Sequence, residues 1–154
     1  MSDPARRRRV LAVASGGGHW VQLRRIVPAF EGHDLRYVTI NDSYRADVPE
    51  SLVYVVRDST RWDKLGMLIL GLQMLVVMLR VRPHVVVSTG AAPGCLAILL
   101  GRAIGSRTIW LDSIANVEEV SMSGRLVRRV TGLWLTQWPH LSSADGPEYA
   151  GRVF

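Results

Sequence analysis

Apolar positions along this chain come in unbroken runs rather than in strict alternation. Such runs fall at 10–14, 35–40, 52–56, 84–88, 107–111 and 133–136, and several are dense in valine, isoleucine and aromatic residues. A continuous run suits a strand covered on both faces, as parallel sheets require. Between the runs lie stretches with helical spacing, at 19–30, 61–80, 95–104 and 123–130. Breakers separate the two kinds. Pro28 and Gly32 close the first helix, Pro83 stops the second, and Gly105 closes the third. Ser123 is the expected N-cap of the last. Loops are expected at 41–50, 89–94 and 112–122, and the tail from Gln137 reads as irregular. Strands alternating with helices predict an α/β fold, a Rossmann-like doubly wound parallel sheet of about six strands. The expected division is a basic disordered tail over 1–9 and a single domain over 10–154.

The helix at 61–80 carries a second pattern. At about 100° per residue, Leu68, Leu72, Leu75 and Leu79 share one face, which is expected to pack on the sheet. Trp62, Gly66, Ile69, Gln73, Val76 and Arg80 fall broadly opposite, where an ordinary surface helix would carry charges. Trp62, Ile69, Val76 and Arg80 are therefore the expected membrane contacts. The apolar stretch 65–79 spans only about 22 Å as a helix, against about 30 Å of bilayer core. Peripheral rather than transmembrane binding is expected, with Arg61, Lys64, Arg80 and Arg82 drawn to anionic lipid.

Composition narrows the partners. The chain has 154 residues, 48% of them hydrophobic, and a formal net charge of +6. Much of the excess sits in Arg6, Arg7, Arg8 and Arg9, with more in Arg125, Arg128 and Arg129. Nucleic acid, phospholipid head groups and phosphorylated substrates all suit that balance, as does a solvated basic tail. One cysteine, Cys95, rules out a disulfide framework or a cysteine zinc site and fits a reducing compartment. The apolar stretch after the arginines is too short for a signal peptide. His33, His84 and His140 do not cluster with carboxylates at ligand spacing, so no metal is expected.

Chemistry gathers in three loops at strand ends. Ser15-Gly16-Gly17-Gly18-His19 follows the first strand and opens a helix. Glycines there let the backbone approach a ligand, and the helix start favours a phosphate or pyrophosphate. His19 exchanges a proton near neutral pH; its alternative role is a helix cap. The dinucleotide fingerprint needs a third glycine where Val21 stands, although Asp42 lies where a ribose-binding acid would sit. No Lys-Ser/Thr pair follows to make a Walker loop. The second loop, Ser88-Thr89-Gly90-Ala91-Ala92-Pro93-Gly94, offers hydroxyls and uncovered N–H groups, or else a tight turn for helix–sheet packing. The third places Asp112, Ser113 and Asn116 at a strand end, where Asp112 binds a sugar hydroxyl or caps the segment that follows. Glu118 and Glu119 read as a solvated face. In a doubly wound sheet all three loops leave carboxyl ends of strands and should meet in one crevice.

These three loops, in this order, resemble the acceptor-side, membrane-associated subunit of split GT-B glycosyltransferases, including the PssD-type subunits. They are also similar to the N-terminal half of MurG. The Gly-Gly-His loop matches Ser15 to His19, and a glycine-rich loop after the fourth strand matches Ser88 to Gly94. Asp112-Ser113 stands where the split type usually has Glu-Ser. The resemblance implies acceptor binding on this chain and a separate donor-binding subunit holding the UDP-sugar, with the active site between them. It implies a polyprenyl-pyrophosphate-linked saccharide as acceptor, used in surface polysaccharide synthesis at the cytoplasmic face of the membrane. Ser15, Gly16, Gly17, Gly18, Ser88, Thr89, Gly90, Gly94, Asp112, Ser113 and Asn116 would bind acceptor or pyrophosphate. His19 would be the general base. No cofactor, metal or nucleic acid is implied, and the donor sugar is left open among GlcNAc, glucuronic acid and galactose. The alternatives are a non-catalytic membrane recruiter and a nucleotide-binding Rossmann domain.

Overall fold

Strand β1 (Arg9–Val13) lies within a seven-stranded sheet, and the side chains from Val10 to Ala14 are fully buried. The computed structural model describes residues 7–49 and 51–154. The chain runs β1, α1 (Gly18–Ile26), β2 (Asp34–Thr39), β3 (Leu52–Val55), α2 (Lys64–Val81), β4 (Val85–Ser88), α3 (Ala91–Ala103), β5 (Arg107–Leu111), α4 (Met122–Val127), β6 (Leu133–Thr136) and β7 (Glu148–Tyr149). The order across the sheet is β3-β2-β1-β4-β5-β6-β7, and every pairing is parallel. The two faces of β1 feed separate cores. Leu11 and Val13 pack with Leu70, Met74 and Met78 of α2 and Ile98 of α3. Val10, Ala12 and Ala14 pack with Trp20 and Leu23 of α1.

The fold has the α/β class and parallel sheet that the apolar runs predict, with seven strands instead of about six. The extra strand lies in the tail expected to be irregular, where Glu148 and Tyr149 pair with Leu135 and Thr136. Two exposed residues carry no strand pattern of their own; the edge of β6 supplies the partner. At the other end, Arg9 joins the sheet, and its guanidinium donates to the carbonyls of Val81 and Arg82 at the end of α2. Residues 1–6 of the basic run, Arg6 among them, lie outside the described residues.

Helix boundaries shift for local reasons. The first helical stretch ends as α at Ile26 and tightens to a 3-10 turn over Val27–Phe30, beginning beside Pro28. Helix α3 starts at Ala91, not Cys95, because Pro93 is tolerated in a first turn whose N–H groups have no intrahelical partner. Ser121, not Ser123, caps α4: its hydroxyl accepts from the Gly124 N–H.

Helix α2 is turned the other way from the phasing argument. Its buried residues are Gly66, Leu70, Met74, Val77, Met78 and Val81. Leu68 and Leu72, expected on the sheet, are 60% and 56% exposed, and Leu65, Leu75 and Leu79 join them in an outward ridge. The cause is that α2 is apolar nearly all round, with mean hydropathy 1.8 over its 18 residues. Periodicity alone does not tell which apolar face meets the sheet. Ile69 is half-buried, while Trp62, Val76 and Arg80 are exposed. By length and composition α2 suffices to cross a membrane, but one third of it is buried inside the fold.

Candidate functional site

The chain order across the sheet reverses between β1 and β4, the place where open α/β sheets bind ligands beyond the strands' carboxyl ends. A cavity of about 380 Å³ opens there, lined by Ser15, Gly16 and Gly17 from the first loop and Ala91, Ala92 and Pro93 from the start of α3. Asn41, Tyr44, Asp58 and Ser59 complete the lining. Larger grooves exist: one of about 590 Å³ runs past Arg8, Arg107 and Gly105, far along the strands from these loops.

The first two loops are clasped together by paired hydrogen bonds. His19 Nδ1 lies 2.8 Å from the Thr89 carbonyl, and the Thr89 hydroxyl donates to the His19 carbonyl at 2.6 Å. A carbonyl only accepts, so Nδ1 carries the proton in the neutral ring. Nε2 then keeps its lone pair. This is the tautomer a general base needs, and a base with its far nitrogen anchored is held in orientation. Gly90 makes the approach possible. Its φ is +135°, and a Cβ there would sit 2.5 Å from His19 Cε1. The next residue, Ala91, also has positive φ, at +67°.

Both helices that start at this cavity lack side-chain caps. Helix α1 begins after Gly17 (φ 54°, ψ −130°) and α3 after Gly90, neither with a side-chain cap hydrogen bond. The first N–H groups of each helix thus receive no cap from their own N-cap residue, and the positive ends of two helix dipoles lie behind them. The N-cap donors themselves are engaged: the Gly17 N–H donates to Tyr44 Oη at 2.8 Å and the Gly90 N–H to Ser88 Oγ at 3.1 Å.

The third loop joins through two buried glutamines that its sequence gives no reason to single out. Gln22 Nε2 donates to Ser113 Oγ at 3.0 Å, and Gln22 Oε1 accepts from the Ile114 N–H at 2.9 Å. Gln137 donates to Gln22 Oε1 and to the Asp112 carbonyl, while its own Oε1 accepts from the Val153 N–H. Three loops and the C-terminal tail are thereby tied to one turn of α1. Gln22 is 1% and Gln137 0% exposed. Gln22 lies in helix α1 and Gln137 just after β6, places where a glutamine reads as a surface residue, and only the tertiary contact distinguishes these two.

The predicted residues divide by placement. Ser15, Gly16 and Gly17 line the cavity, and Gly18 with His19 forms the first turn of α1. Ser88, Thr89, Asp112 and Ser113 are buried. Ser88 Oγ accepts from the Gly90 N–H, and a Cβ on Gly94 would fall 1.9 Å from that Oγ. Gly94 thus serves the close packing of α3 on β4. The Asp112 carboxylate accepts from Trp110 Nε1, Asn116 Nδ2 and the Ser121 N–H. Asp112 and Asn116 therefore fold the third loop rather than face the cavity. Trp62, Val76 and Arg80 lie exposed on or beside α2. Asp42, weighed as a ribose acid, instead pairs with Arg45 in a surface turn. Among the described residues no group of three or more His, Cys, Asp and Glu side chains is placed to hold a metal ion.

Comparison with known proteins identifies the lineage. The family model "Oligosaccharide biosynthesis protein Alg14 like" matches residues 56–153. The chain belongs to this family. The match runs from the end of β3 to the tail and includes the second and third loops. The UDP-N-acetylglucosamine transferase subunit ALG14 of Mus musculus is 30% identical over 84 residues, 50% of this chain and 39% of the mouse protein. Its Homo sapiens counterpart is 31% identical over 81 residues, 48% of this chain and 38% of that protein. The matched segments thus span about two fifths of the length of these relatives. In structure the chain is similar to Acinetobacter baumannii MurG, with a TM-score of 0.75 at 13% identity, over 93% of this chain and 45% of MurG. It is also similar to a Rickettsia bellii UDP-N-acetylglucosamine 2-epimerase, with a TM-score of 0.69 at 11% identity, over 96% and 45% of the two chains. At such identities the likeness establishes the fold, that of half a GT-B-type protein.

Proposed function

We propose that this chain is the acceptor-binding subunit of a two-component inverting glycosyltransferase. A donor-binding subunit would supply the nucleotide half, and the sugar of a UDP-sugar would pass to a polyprenyl-pyrophosphate-linked saccharide in surface polysaccharide synthesis. The observation that carries the reading is the clasp of His19 on Thr89, which leaves Nε2 as a base beside two uncapped helix starts. Membership of the Alg14-like family supports the subunit role.

The chemistry follows from the geometry. The pyrophosphate of the acceptor takes the free N–H groups at the starts of α1 and α3. Asn41, Asp58 and Ser59 offer partners for a sugar hydroxyl on the same cavity wall. His19 Nε2 removes the proton of the attacking hydroxyl as its oxygen bonds to the anomeric carbon. The anomeric carbon–phosphate oxygen bond breaks from the opposite face, UDP departs, and configuration inverts. The Thr89 carbonyl accepts from the Nδ1–H of the imidazolium that forms, and Nε2 then releases its proton to solvent. The chain works at the cytoplasmic membrane surface, held by the outward leucine ridge of α2 with Arg61, Lys64, Arg80 and Arg82 at its ends.

Co-expression tests the division of labour. The chain purified alone should transfer no sugar from a nucleotide sugar to a lipid-linked acceptor, and co-purification with a donor-binding subunit should restore turnover. Robust transfer by the isolated chain would overturn the two-component reading.

A further inference from the structure

Tyr44 has no place in the chemistry so far, yet it stands on the wall of the same cavity. It belongs to the 3-10 turn Asp42–Asp47, whose start is fixed by Asn41 accepting from the Ser43 N–H. The ring stacks on buried Trp20 of α1, with centroids 4.8 Å apart and planes at 26°. Trp20 in turn donates from Nε1 to Asp47 at 2.8 Å, so the middle and the end of the turn are pinned to α1. The position of the phenol is therefore set by packing. Gly16 leaves room for it: a Cβ there would lie 3.2 Å from Tyr44 Oη.

The hydrogen-bond accounting at Oη is one-sided. The oxygen accepts from the Gly17 N–H at 2.8 Å, and among the described residues no acceptor takes the phenolic proton. A hydroxyl that already accepts a hydrogen bond is polarised into a better donor. Gly17 itself immediately precedes the uncapped first turn of α1. The phenol thus takes the place of the engaged Gly17 donor, relaying it outward into the cavity.

We infer that Tyr44 binds the diphosphate of the acceptor, its O–H donating to a phosphoryl oxygen seated at the start of α1. This rests on the acceptor-binding reading of the cavity. A neutral donor suits the place. It adds a hydrogen bond to the anion without a charge that would pair with Asp58 on the same cavity wall.

The test compares the full chain with Tyr44→Phe, titrated with farnesyl diphosphate and with inorganic pyrophosphate. Isothermal titration calorimetry reports binding, and thermal unfolding reports the fold. The Phe ring keeps the stack on Trp20, so the melting temperature should hold. Both ligands should bind the variant about 10-fold more weakly, the factor expected for one lost hydrogen bond to a charged group. In the complex with its donor-binding subunit, the acceptor KM should rise by a similar factor while kcat and the donor KM stay in place. Unchanged affinity in a folded variant would overturn the inference. So would tighter binding, which would make Tyr44 a plug in the cavity, or weakening seen with the farnesyl ligand alone, which would assign the phenol to the chain. If wild type binds neither diphosphate, the acceptor reading of the cavity fails and this inference with it.

Discussion

Four helices start on this sheet, and they start in two ways. Helices α2 and α4 close their first turns with their own side chains, Asp63 accepting from Gly66 N–H and Ser121 from Gly124 N–H. Helices α1 and α3 begin on glycines at φ 54° and 135° and carry no side-chain cap. A glycine N-cap costs only about a few tenths of a kcal/mol against a capping side chain, so the two kinds of start differ little in stability. The uncapped pair sits side by side at the cavity, and the capped pair does not line it. On the proposed function, the difference separates helices that only build the fold from helices whose donors face the acceptor. Helix α2 adds a contrast of its own: its capped start leads into an outward leucine ridge, a surface suited to lipid rather than to a small polar ligand.

The comparison is broken most severely at His19. His19→Ala should keep the fold, because the side chain is only half-buried, and should lower turnover of the assembled enzyme by about 10²–10⁴-fold. Near wild-type turnover in a folded variant would leave the clasp on Thr89 purely architectural.

Gly90→Ala ranks next. It forces a side chain onto a backbone at φ +135° and against the imidazole. Turnover should fall by about 10²-fold, the scale of an ångström displacement of a reacting group. An imidazole still seated on Thr89 in a crystal structure of the variant, with full turnover, would contradict this.

On α2 the expected effect is on location. Leu68→Glu with Leu75→Glu removes two outward side chains and should weaken binding to anionic vesicles by more than about 10-fold, with circular dichroism unchanged. Met74→Glu, buried at 0% exposure, should unfold the chain instead. If the double leucine variant still floats with vesicles, the ridge is not the anchor.

The smallest effects belong to the capped starts. Ser121→Ala should cost about 1 kcal/mol by chemical denaturation and leave acceptor affinity intact. The Asp63 carboxyl is held below its ordinary range, chiefly by the Gly66 N–H and further by Arg57. A depressed pKa contributes stability that is complete above the ordinary carboxylate range and is lost as pH falls through the lowered value. Asp63→Asn should therefore lower the melting temperature modestly at neutral pH, where the charged cap contributes, and leave the acid end nearly unchanged, so the acid limb flattens.

The sequence by itself determined the elements that depend on neighbours along the chain. Continuous valine and isoleucine runs have no stable place except a sheet covered on both faces, and they marked six of the seven strands. Glycines after β1 and β4 marked two of the loops that meet where the strand order reverses, because tight turns and close backbone approach need that residue type locally. Pro83 and Gly105 set helix ends for the same reason. Tertiary structure alone decided the rest. An all-round apolar helix offers several equivalent faces, so the facing of α2 came from its fit against Leu11, Val13 and α3. Strand β7 exists because β6 offers an edge. Asp112 turns from ligand candidate to loop clasp because Trp110, Asn116 and Ser121 aim their donors at it. Tyr44 meets Gly17 across 27 positions, and Gln137 meets Gln22 across 115. A hydrogen bond reads distance in space, and no local pattern encodes a partner that far along the chain.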